Sequence, residues 1–222
     1  MTASTRLALF DLDDTLSDRA AAFRGWAEKW IARHGIDDPD ALSWMVTNDD
    51  GGYRPRDLFF ADAKDRFGLR EHASALARDY ALTAHDDYRE DPVIVAGLQS
   101  LIDAGYRVGL VTNGAIGQQV KAEKLGIVPL LSCCVVSGLV GIRKPDRRIF
   151  DLAVAEAGGP GPDTPWMVGD NAAYDVGGAQ GAGLRGMWIS LGRTWDPTLA
   201  PPDATVPDIT SALALLLGAL PD

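Results

Sequence analysis

The chain contains a dense acidic stretch close to its start. Asp11, Asp13 and Asp14 directly follow an apolar run that is typical of a buried strand. Asp11 and Asp13 are two positions apart, so on an extended chain their carboxylates point the same way. Such close carboxylates need a divalent cation, of which Mg²⁺ is the oxygen-preferring candidate, or one of them must stay protonated as an acid. Taken alone, the segment is more often a solvated acidic cluster.

Two further segments place polar residues where a strand ends or a helix begins. "VTNG" brings together Thr112, Asn113 and Gly114, whose hydroxyl, amide and backbone N–H groups form an anion cradle at a helix entrance. Lys144 precedes Pro145 at the start of a helical pattern and supplies a point charge for a phosphoryl oxygen. The plainer interpretations are a polar helix cap and a surface cation.

A fourth segment, "WMVGDNAAYD", ends another apolar run in a carboxylate. Asp170 follows the run directly, and Asp175 lies one turn later. Asp170 suits a metal ligand, and Asp175 is close enough to orient it from behind. The alternative for Asp170 is a helix N-cap.

The apolar pattern of the chain predicts the elements that position these residues. Buried strands are predicted at Leu7–Leu12, Arg107–Thr112, Cys133–Ser137, Trp166–Gly169, Gly186–Ser190 and within "TVPDI". Helices are predicted at Ile94–Ala104, Ile116–Leu125, Arg147–Ala157, Tyr174–Ala182 and Ile209–Leu217. This alternation predicts an α/β fold, a doubly wound, Rossmann-like parallel sheet with helices on both faces. Right-handed crossovers place the carboxyl ends of the strands, and hence the four polar segments, at one edge.

One region interrupts the alternation. Residues 17–91 show no convincing strand but three helical patterns, so we predict a helical domain inserted into a core of residues 1–16 and 92–222. An aromatic stripe at Phe23, Trp26 and Trp30 is interpreted as the core of the insert. The irregular stretch "MVTNDDGGYRPR" follows.

That irregular stretch carries the candidate specificity residues of the insert. Tyr53, Arg54 and Arg56 come after a glycine-rich turn. Arginines at such a place can grip a second phosphate or a carboxylate of a substrate. The alternative is an exposed loop between helices.

Composition limits the classes of partner. The 222 residues carry a formal charge of −10 and are 46% hydrophobic, so we expect a globular protein that does not bind nucleic acid. The polar start "MTASTR" lacks signal-peptide features, and the longest apolar run, "ALALLLGAL", is far below the ~20 residues of a membrane span. We therefore predict a cytoplasmic protein without a membrane partner. Cys133 and Cys134 are predicted to be buried thiols.

The four segments together resemble the motifs of the haloacid dehalogenase-like (HAD) hydrolase superfamily. The matching residues read "DLDDT", "VTNG", "RKPD" and "GDNAAYD", in that order along the chain. The resemblance covers the whole chain and implies that the insert is an α-helical cap. It also implies that Asp11 is the nucleophile, that Asp13 is the general acid and base, and that Thr112 and Lys144 hold the phosphoryl oxygens.

The resemblance further implies a magnesium site. Asp170 resembles the carboxylate ligand of Mg²⁺, alongside Asp11 and the backbone carbonyl of Asp13. Asp175 resembles the residue that completes the fourth motif. Asp14 fits the "DDT" form of the first motif, but no catalytic step is assigned to it.

The expected activity is that of a Mg²⁺-dependent phosphatase. It would hydrolyse a small phosphorylated metabolite, of sugar phosphate or nucleotide type, through an aspartyl-phosphate, as a monomer or homodimer. A phosphomutase, a catalytically silent HAD-like binding or regulatory module, and a receiver domain are the alternatives. Asp13 disfavours dehalogenation, since a halide needs no proton; phosphonate cleavage would need a Schiff-base lysine such as Lys29 or Lys64. A "TNG…Q…K" pattern loosely resembles nucleotidase-like and acylneuraminate-9-phosphatase-like members.

Overall fold

The computed structural model describes residues 5–218, and the chain forms two compact units. One unit combines Met1–Ser17 with Arg89–Asp222, and the other is Asp18–Tyr88. The first four residues and the end of the "ALALLLGAL" run lie outside the described residues. The role of the second unit as a cap stays a prediction.

In its described residues, the second unit contains helices joined by loops and has no strands. Its helices are α1 (Arg19–Arg33), α2 (Ala41–Asp49), α3 (Arg56–Phe67) and α4 (Ala73–Thr83). The sequence pattern predicted three helices and missed α2. That helix has only nine residues, and its last turn is built from Thr, Asn and Asp, which have low helix propensity. A short 3₁₀ turn, Asp50–Gly52, connects α2 to α3.

Aromatic side chains form the interior of this helical unit. Phe23, Trp26 and Trp30 of α1 are buried together with Phe59 and Phe60 of α3. Several of the rings meet edge to face, for example Phe59 on Phe60 with centroids 5.0 Å apart, a geometry that aromatic quadrupoles favour. The aromatic stripe of the insert therefore lies in a core of its own.

The first unit is built on a six-stranded parallel sheet, as the sequence predicted. The strands are β1 (Arg6–Phe10), β2 (Tyr106–Thr112), β3 (Leu131–Val136), β4 (Trp166–Gly169), β5 (Arg185–Ile189) and β6 (Ala204–Val206). Their order is β3-β2-β1-β4-β5-β6, so β1 lies between β2 and β4. Leu7–Phe10 are buried, which explains why β1 is a continuous apolar run rather than an alternating one.

Helices lie between the strands of this unit and after the last strand. They are α5 (Pro92–Asp103), α6 (Gly117–Lys124), α7 (Ser137–Val140), α8 (Arg147–Glu156), α9 (Gly178–Gly181) and α10 (Ile209–Leu216). Aspartates accept hydrogen bonds from backbone N–H groups in the first turns of α5, α8 and α10, namely Asp91, Asp146 and Asp208. Within residues 5–218, no helix is long and apolar enough to cross a bilayer.

The predicted helix Tyr174–Ala182 differs from the structure. A π-helical segment, Ala172–Gly177, replaces its first half, and only the four residues of α9 follow as α-helix. The wider π-turn begins two residues after Asp170, within the fourth motif. Such turns are frequent at functional sites, and an apolar pattern does not distinguish them from an α-helix.

Candidate active site

The predicted site residues follow the carboxyl ends of three adjacent central strands. Asp11 follows β1, Thr112 ends β2 and Asp170 follows β4. The backbone N–H of Asp11 donates to Val168 O of β4 at 2.9 Å, so the sheet ladder continues to the aspartate itself. Parallel pairing in the order β2-β1-β4 therefore brings the residues to the middle of one sheet edge.

Lys144 links two of the aspartates. Its Nζ donates to Asp11 Oδ1 and Asp175 Oδ1, both at 2.6 Å, and to Val111 O at 2.8 Å. Lys144 is only 2% exposed. Burial lowers the pKa of Lys144, but the two carboxylates outweigh burial and hold that pKa above its ordinary value. The side chain is thus a permanent cation inside the site.

Asn113 fixes the backbone on which Lys144 sits. Its Oδ1 accepts from Lys144 N at 2.9 Å, and its Nδ2 donates to Lys144 O at 3.1 Å. This reciprocal pair joins the loop after β2 to the loop before α8. The sequence analysis predicted that the Asn113 amide helps to bind an anion. In the structure both polar atoms of this amide bond to the Lys144 backbone, so anion binding by Asn113 stays a prediction.

Asp175 is a buried carboxylate that bonds to Lys144 and to the backbone of Asn171. One of its oxygens accepts from Lys144, and the other accepts from Asn171 N at 2.9 Å. The side chain is 1% exposed. A Cβ at position 169 would collide with Asp175 Oδ2, so Gly169 is needed where the carboxylate turns back toward β4. Both oxygens are therefore occupied within the protein, as expected of a residue that orients its neighbours.

Asp170 is held by a residue of β5 and by a residue of the chain that follows β5. Arg193 Nη2 donates to Asp170 Oδ2 at 3.0 Å and to Asp170 O at 2.8 Å. Trp188 Nε1 donates to the same carbonyl at 2.9 Å. Burial raises the pKa of Asp170 to about 7, nearby carboxylates add to the rise, and Arg193 opposes it. The sequence interpretation missed Arg193, which follows β5 without a motif.

Three carboxylates meet closely enough to share one cation. Asp11, Asp170 and Asp175 each offer an oxygen, and these oxygens lie within 4.8 Å of one another. Burial raises the pKa of Asp11, and Lys144 only partly offsets this. Since Asp175 already accepts two hydrogen bonds, Asp11 and Asp170 are the ligands with which a hard cation such as Mg²⁺ fits best.

Asp13 has a different set of partners. Lys121 Nζ donates to its Oδ1 at 2.6 Å and to its Oδ2 at 2.8 Å. Gln118 Nε2 donates to Asp13 Oδ2 at 3.0 Å and to Thr112 Oγ1 at 2.8 Å. Sequence reasoning did not place Gln118 or Lys121 in the site. The "TNG…Q…K" pattern was the available signal, but it served only as a resemblance.

Gly114 makes room for the Gln118 side chain. A Cβ at this position would lie 2.6 Å from Gln118 Cγ, and the backbone φ is +153°. The Gly114 N–H donates to Ser137 Oγ at 3.0 Å. In this structure that N–H is bonded to the protein, so its predicted part in phosphate binding stays a prediction.

Asp14 lies beside the site in a left-handed backbone conformation. Its φ is +56°, which Asp adopts more readily than most residues. Its charge is one of those that raise the pKa of Asp170, after burial and the closer carboxylates. The structure thus gives Asp14 an electrostatic effect without giving it a catalytic step.

The candidate specificity residues lie in the helical unit. Arg54 forms an ion pair with Asp62, and Arg56 Nη1 lies 2.7 Å from Asp49 Oδ1. Tyr53 is half exposed. Both arginines therefore have carboxylate partners within their own unit, and a role in substrate binding stays a prediction.

Known proteins are similar to this chain in sequence and in fold. Residues 5–183 match the family model described as haloacid dehalogenase-like hydrolase. The chain is 33% identical over 203 residues to phosphoserine phosphatase from Thermus thermophilus, covering 86% of this chain and 78% of the relative. It is 34% identical over 208 residues to glyceraldehyde 3-phosphate phosphatase from Methanopyrus kandleri, covering 86% of each. The Bacillus subtilis HAD-hydrolase YfnB, whose crystal structure contains magnesium, shares the fold with a TM-score of 0.78 at 21% identity, over 96% of this chain and 99% of that one.

Proposed function

We propose a function from one premise: this chain belongs to the haloacid dehalogenase-like hydrolase family. It is a Mg²⁺-dependent phosphatase that hydrolyses a small phosphate monoester through an aspartyl-phosphate on Asp11. The observation that carries this proposal is the contact of the buried Asp11 carboxylate with the Lys144 ammonium at 2.6 Å, beside the second carboxylate of Asp170. A fixed cation next to a carboxylate nucleophile is what phosphoryl transfer requires.

In the first half-reaction, an Asp11 oxygen attacks phosphorus and the bond from phosphorus to the ester oxygen breaks. Protonated Asp13 donates its proton to that oxygen, so that an alcohol leaves and Asp13 becomes ionised. Lys144 and the Thr112 hydroxyl stabilise the oxygens of the transferring group. The position of Thr112 at the end of β2, with its Oγ1 held by Gln118, supports this role.

In the second half-reaction, water attacks the phosphorus of the aspartyl-phosphate. Ionised Asp13 accepts one proton of the water, while the bond between phosphorus and the Asp11 oxygen breaks. Hydrogen phosphate leaves, Asp11 is again a carboxylate and Asp13 is again protonated. Atoms and charge balance over the cycle.

The charges of the site support the proposal that a divalent cation takes part. Its carboxylates are Asp11, Asp13, Asp170 and Asp175, and its side-chain cations are Lys121, Lys144 and Arg193. With Asp13 protonated, as in the first half-reaction, the three other carboxylates only balance the three cations, so a phosphate dianion would leave the site with a net negative charge. Mg²⁺ held by Asp11, Asp170 and the backbone carbonyl of Asp13 would supply the missing positive charge at the phosphoryl oxygens.

The relatives support the substrate class. The Thermus and Methanopyrus proteins are named for phosphoserine and glyceraldehyde 3-phosphate, two small phosphate monoesters. We therefore propose a small phosphorylated metabolite as the substrate of this chain.

The test is hydrolysis of an aryl phosphate by the purified protein with and without Mg²⁺. Asp11→Asn should abolish turnover, and Asp13→Asn should slow it and accumulate phosphoenzyme. Asp151→Asn is a matched control because Asp151 forms an exposed ion pair with Arg147 on α8. Undiminished turnover by Asp11→Asn protein contradicts the nucleophile assignment. A panel of phosphorylated metabolites, assayed for transfer products as well as phosphate, separates hydrolysis from a mutase reaction.

A further inference from the structure

Helix α6 presents two polar side chains to the active site. Gln118 and Lys121 are three residues apart, so they lie on the same face of the helix. Both are buried, with 4% and 7% exposure. Burial of a lysine is costly unless the ammonium has a partner, and here its partner is Asp13. A lysine buried at this cost calls for an explanation beyond helix packing.

The contacts fix the orientation of the Asp13 carboxylate. The χ2 torsion of an aspartate is a broad, roughly two-fold rotor, so a carboxylate with one partner can still turn. Asp13 instead accepts from Lys121 Nζ at both oxygens, at 2.6 and 2.8 Å, and from Gln118 Nε2 at Oδ2. Two donors from one helix therefore define the carboxylate plane.

This arrangement of donors suits an ionised carboxylate. A protonated carboxyl oxygen donates along its O–H bond and is a poor acceptor for an ammonium. Both oxygens of Asp13 accept from Lys121, a geometry that suits the carboxylate left after Asp13 has protonated the leaving group. In the proposed cycle, this is the state that meets the attacking water.

We propose that Lys121 is a positioning residue for the second half-reaction, in which it holds ionised Asp13 for proton abstraction from water. This inference rests on the proposed phosphatase function. Gln118 assists because its Nε2 joins Asp13 to Thr112, which places the base at a fixed distance from the phosphoryl-binding hydroxyl. Gly114 is part of the same device, since a larger residue would displace Gln118.

The proposal separates the two half-reactions experimentally. An aryl oxide is a good leaving group and needs no proton from Asp13, so phosphoenzyme formation from an aryl phosphate does not depend on the orientation of Asp13. Hydrolysis of the phosphoenzyme depends on it for every substrate. Loss of Lys121 should therefore slow decay of the phosphoenzyme and leave its formation unchanged.

The experiment is rapid-quench kinetics with a radiolabelled aryl phosphate, which measures formation and decay of the phosphoenzyme as two rate constants. Lys121→Met keeps the length of the side chain and removes its charge. The decay constant should fall about ten- to hundredfold, a part of the total effect of general base catalysis, while the formation constant stays within about twofold. In steady state, kcat and KM should then fall together wherever decay limits turnover.

Two variants serve as comparisons. Lys124→Met removes the same side chain from the last residue of α6 and should leave both rate constants unchanged. Lys121→Gln keeps one donor without the charge and should give a decay constant between those of wild type and Lys121→Met. It also replaces Lys121→Met if that protein does not fold, as judged by its circular dichroism.

The outcomes are distinct. Equal falls in formation and decay, or an unchanged decay constant, overturn the role of Lys121 while leaving the phosphatase proposal intact. A wild-type protein that forms no phosphoenzyme, or an Asp11→Asn protein that still does, overturns the proposed function instead.

Discussion

Replacement of Lys144 by methionine should destabilise the metal-free protein strongly. The substitution keeps an unbranched side chain of similar volume, so packing is largely preserved. It removes the one ammonium that bonds to both Asp11 and Asp175, and it leaves Val111 O without its 2.8 Å donor. Two buried carboxylates would then face each other without their cation.

The expected loss in the free energy of unfolding is about 3–5 kcal/mol at about pH 8. This is the usual cost of breaking a buried ion pair by removing one partner. Lys144 and Asp175 are both almost completely buried, so solvent screens little of the effect. For a chain of this size, each kcal/mol lowers the melting temperature by about 2–4 °C, which gives a fall of about 6–20 °C.

The deficit should shrink at lower pH. Burial already raises the pKa of Asp11 in the folded protein, and removal of Lys144, which opposes that rise, raises it further. A carboxyl whose folded pKa exceeds its unfolded pKa of about 4 destabilises the folded state at high pH; the penalty declines once pH falls below the folded pKa and is gone near the unfolded pKa. The variant should therefore approach wild-type stability as pH falls from about 8 to about 5.

Urea unfolding of both proteins at the two pH values, with a chelator present, measures the effect. Arg147→Met, which breaks an exposed ion pair on α8, is the control and should leave the free energy of unfolding nearly unchanged. Equal unfolding free energies for wild type and Lys144→Met, or a deficit that does not change with pH, would refute the reasoning.

Three further predictions concern metal binding and loop geometry. Asp11 and Asp170 have raised pKa values, about 7 for Asp170, so Mg²⁺ must displace protons when it binds. The affinity for Mg²⁺, measured by calorimetry, should therefore fall about ten- to hundredfold from about pH 8 to about pH 6. An affinity that stays the same would contradict this prediction. Arg193→Gln removes a charge that lowers the pKa of Asp170, so the midpoint of that pH dependence should move upward rather than stay. Asn113→Ala removes both bonds to the Lys144 backbone and should cost about 1–3 kcal/mol in urea unfolding and lower kcat, whereas an unchanged protein would deny Asn113 this role.

The sequence predicted the sheet, and the edge at which the candidate site residues lie, because polar residues directly after buried apolar runs mark the ends of the strands. Asp11 and Asp170 each follow an apolar run that is buried in the sheet, and parallel topology then requires them to meet. Lys144 was identified because it precedes Pro145 at the start of a helical pattern, and not by an apolar pattern. What the pattern did not reveal is that Lys144 bonds to two aspartates at once.

Contacts made by helical side chains were harder to predict. Lys121 lies in the polar sequence "GQQVKAEK", where Lys121 and Lys124 look alike. Its burial depends on how α6 packs against the loop that holds Asp13, and the sequence does not encode that packing in a local period. The π-helical segment after Asp170 was missed for a related reason, since its hydrogen-bond spacing leaves no apolar signature.

Because β1 lies between β2 and β4, the candidate site lies in the part of the sheet that should unfold last. Amide hydrogens of central strands generally exchange with solvent only when the whole unit unfolds, whereas short edge strands open locally. The strands that hold Asp11, Thr112 and Asp170 are the central ones, and the three-residue β6 is at an edge. Asp11 and its neighbours should thus stay assembled while the edge strand opens, and activity should survive until the global transition of the sheet.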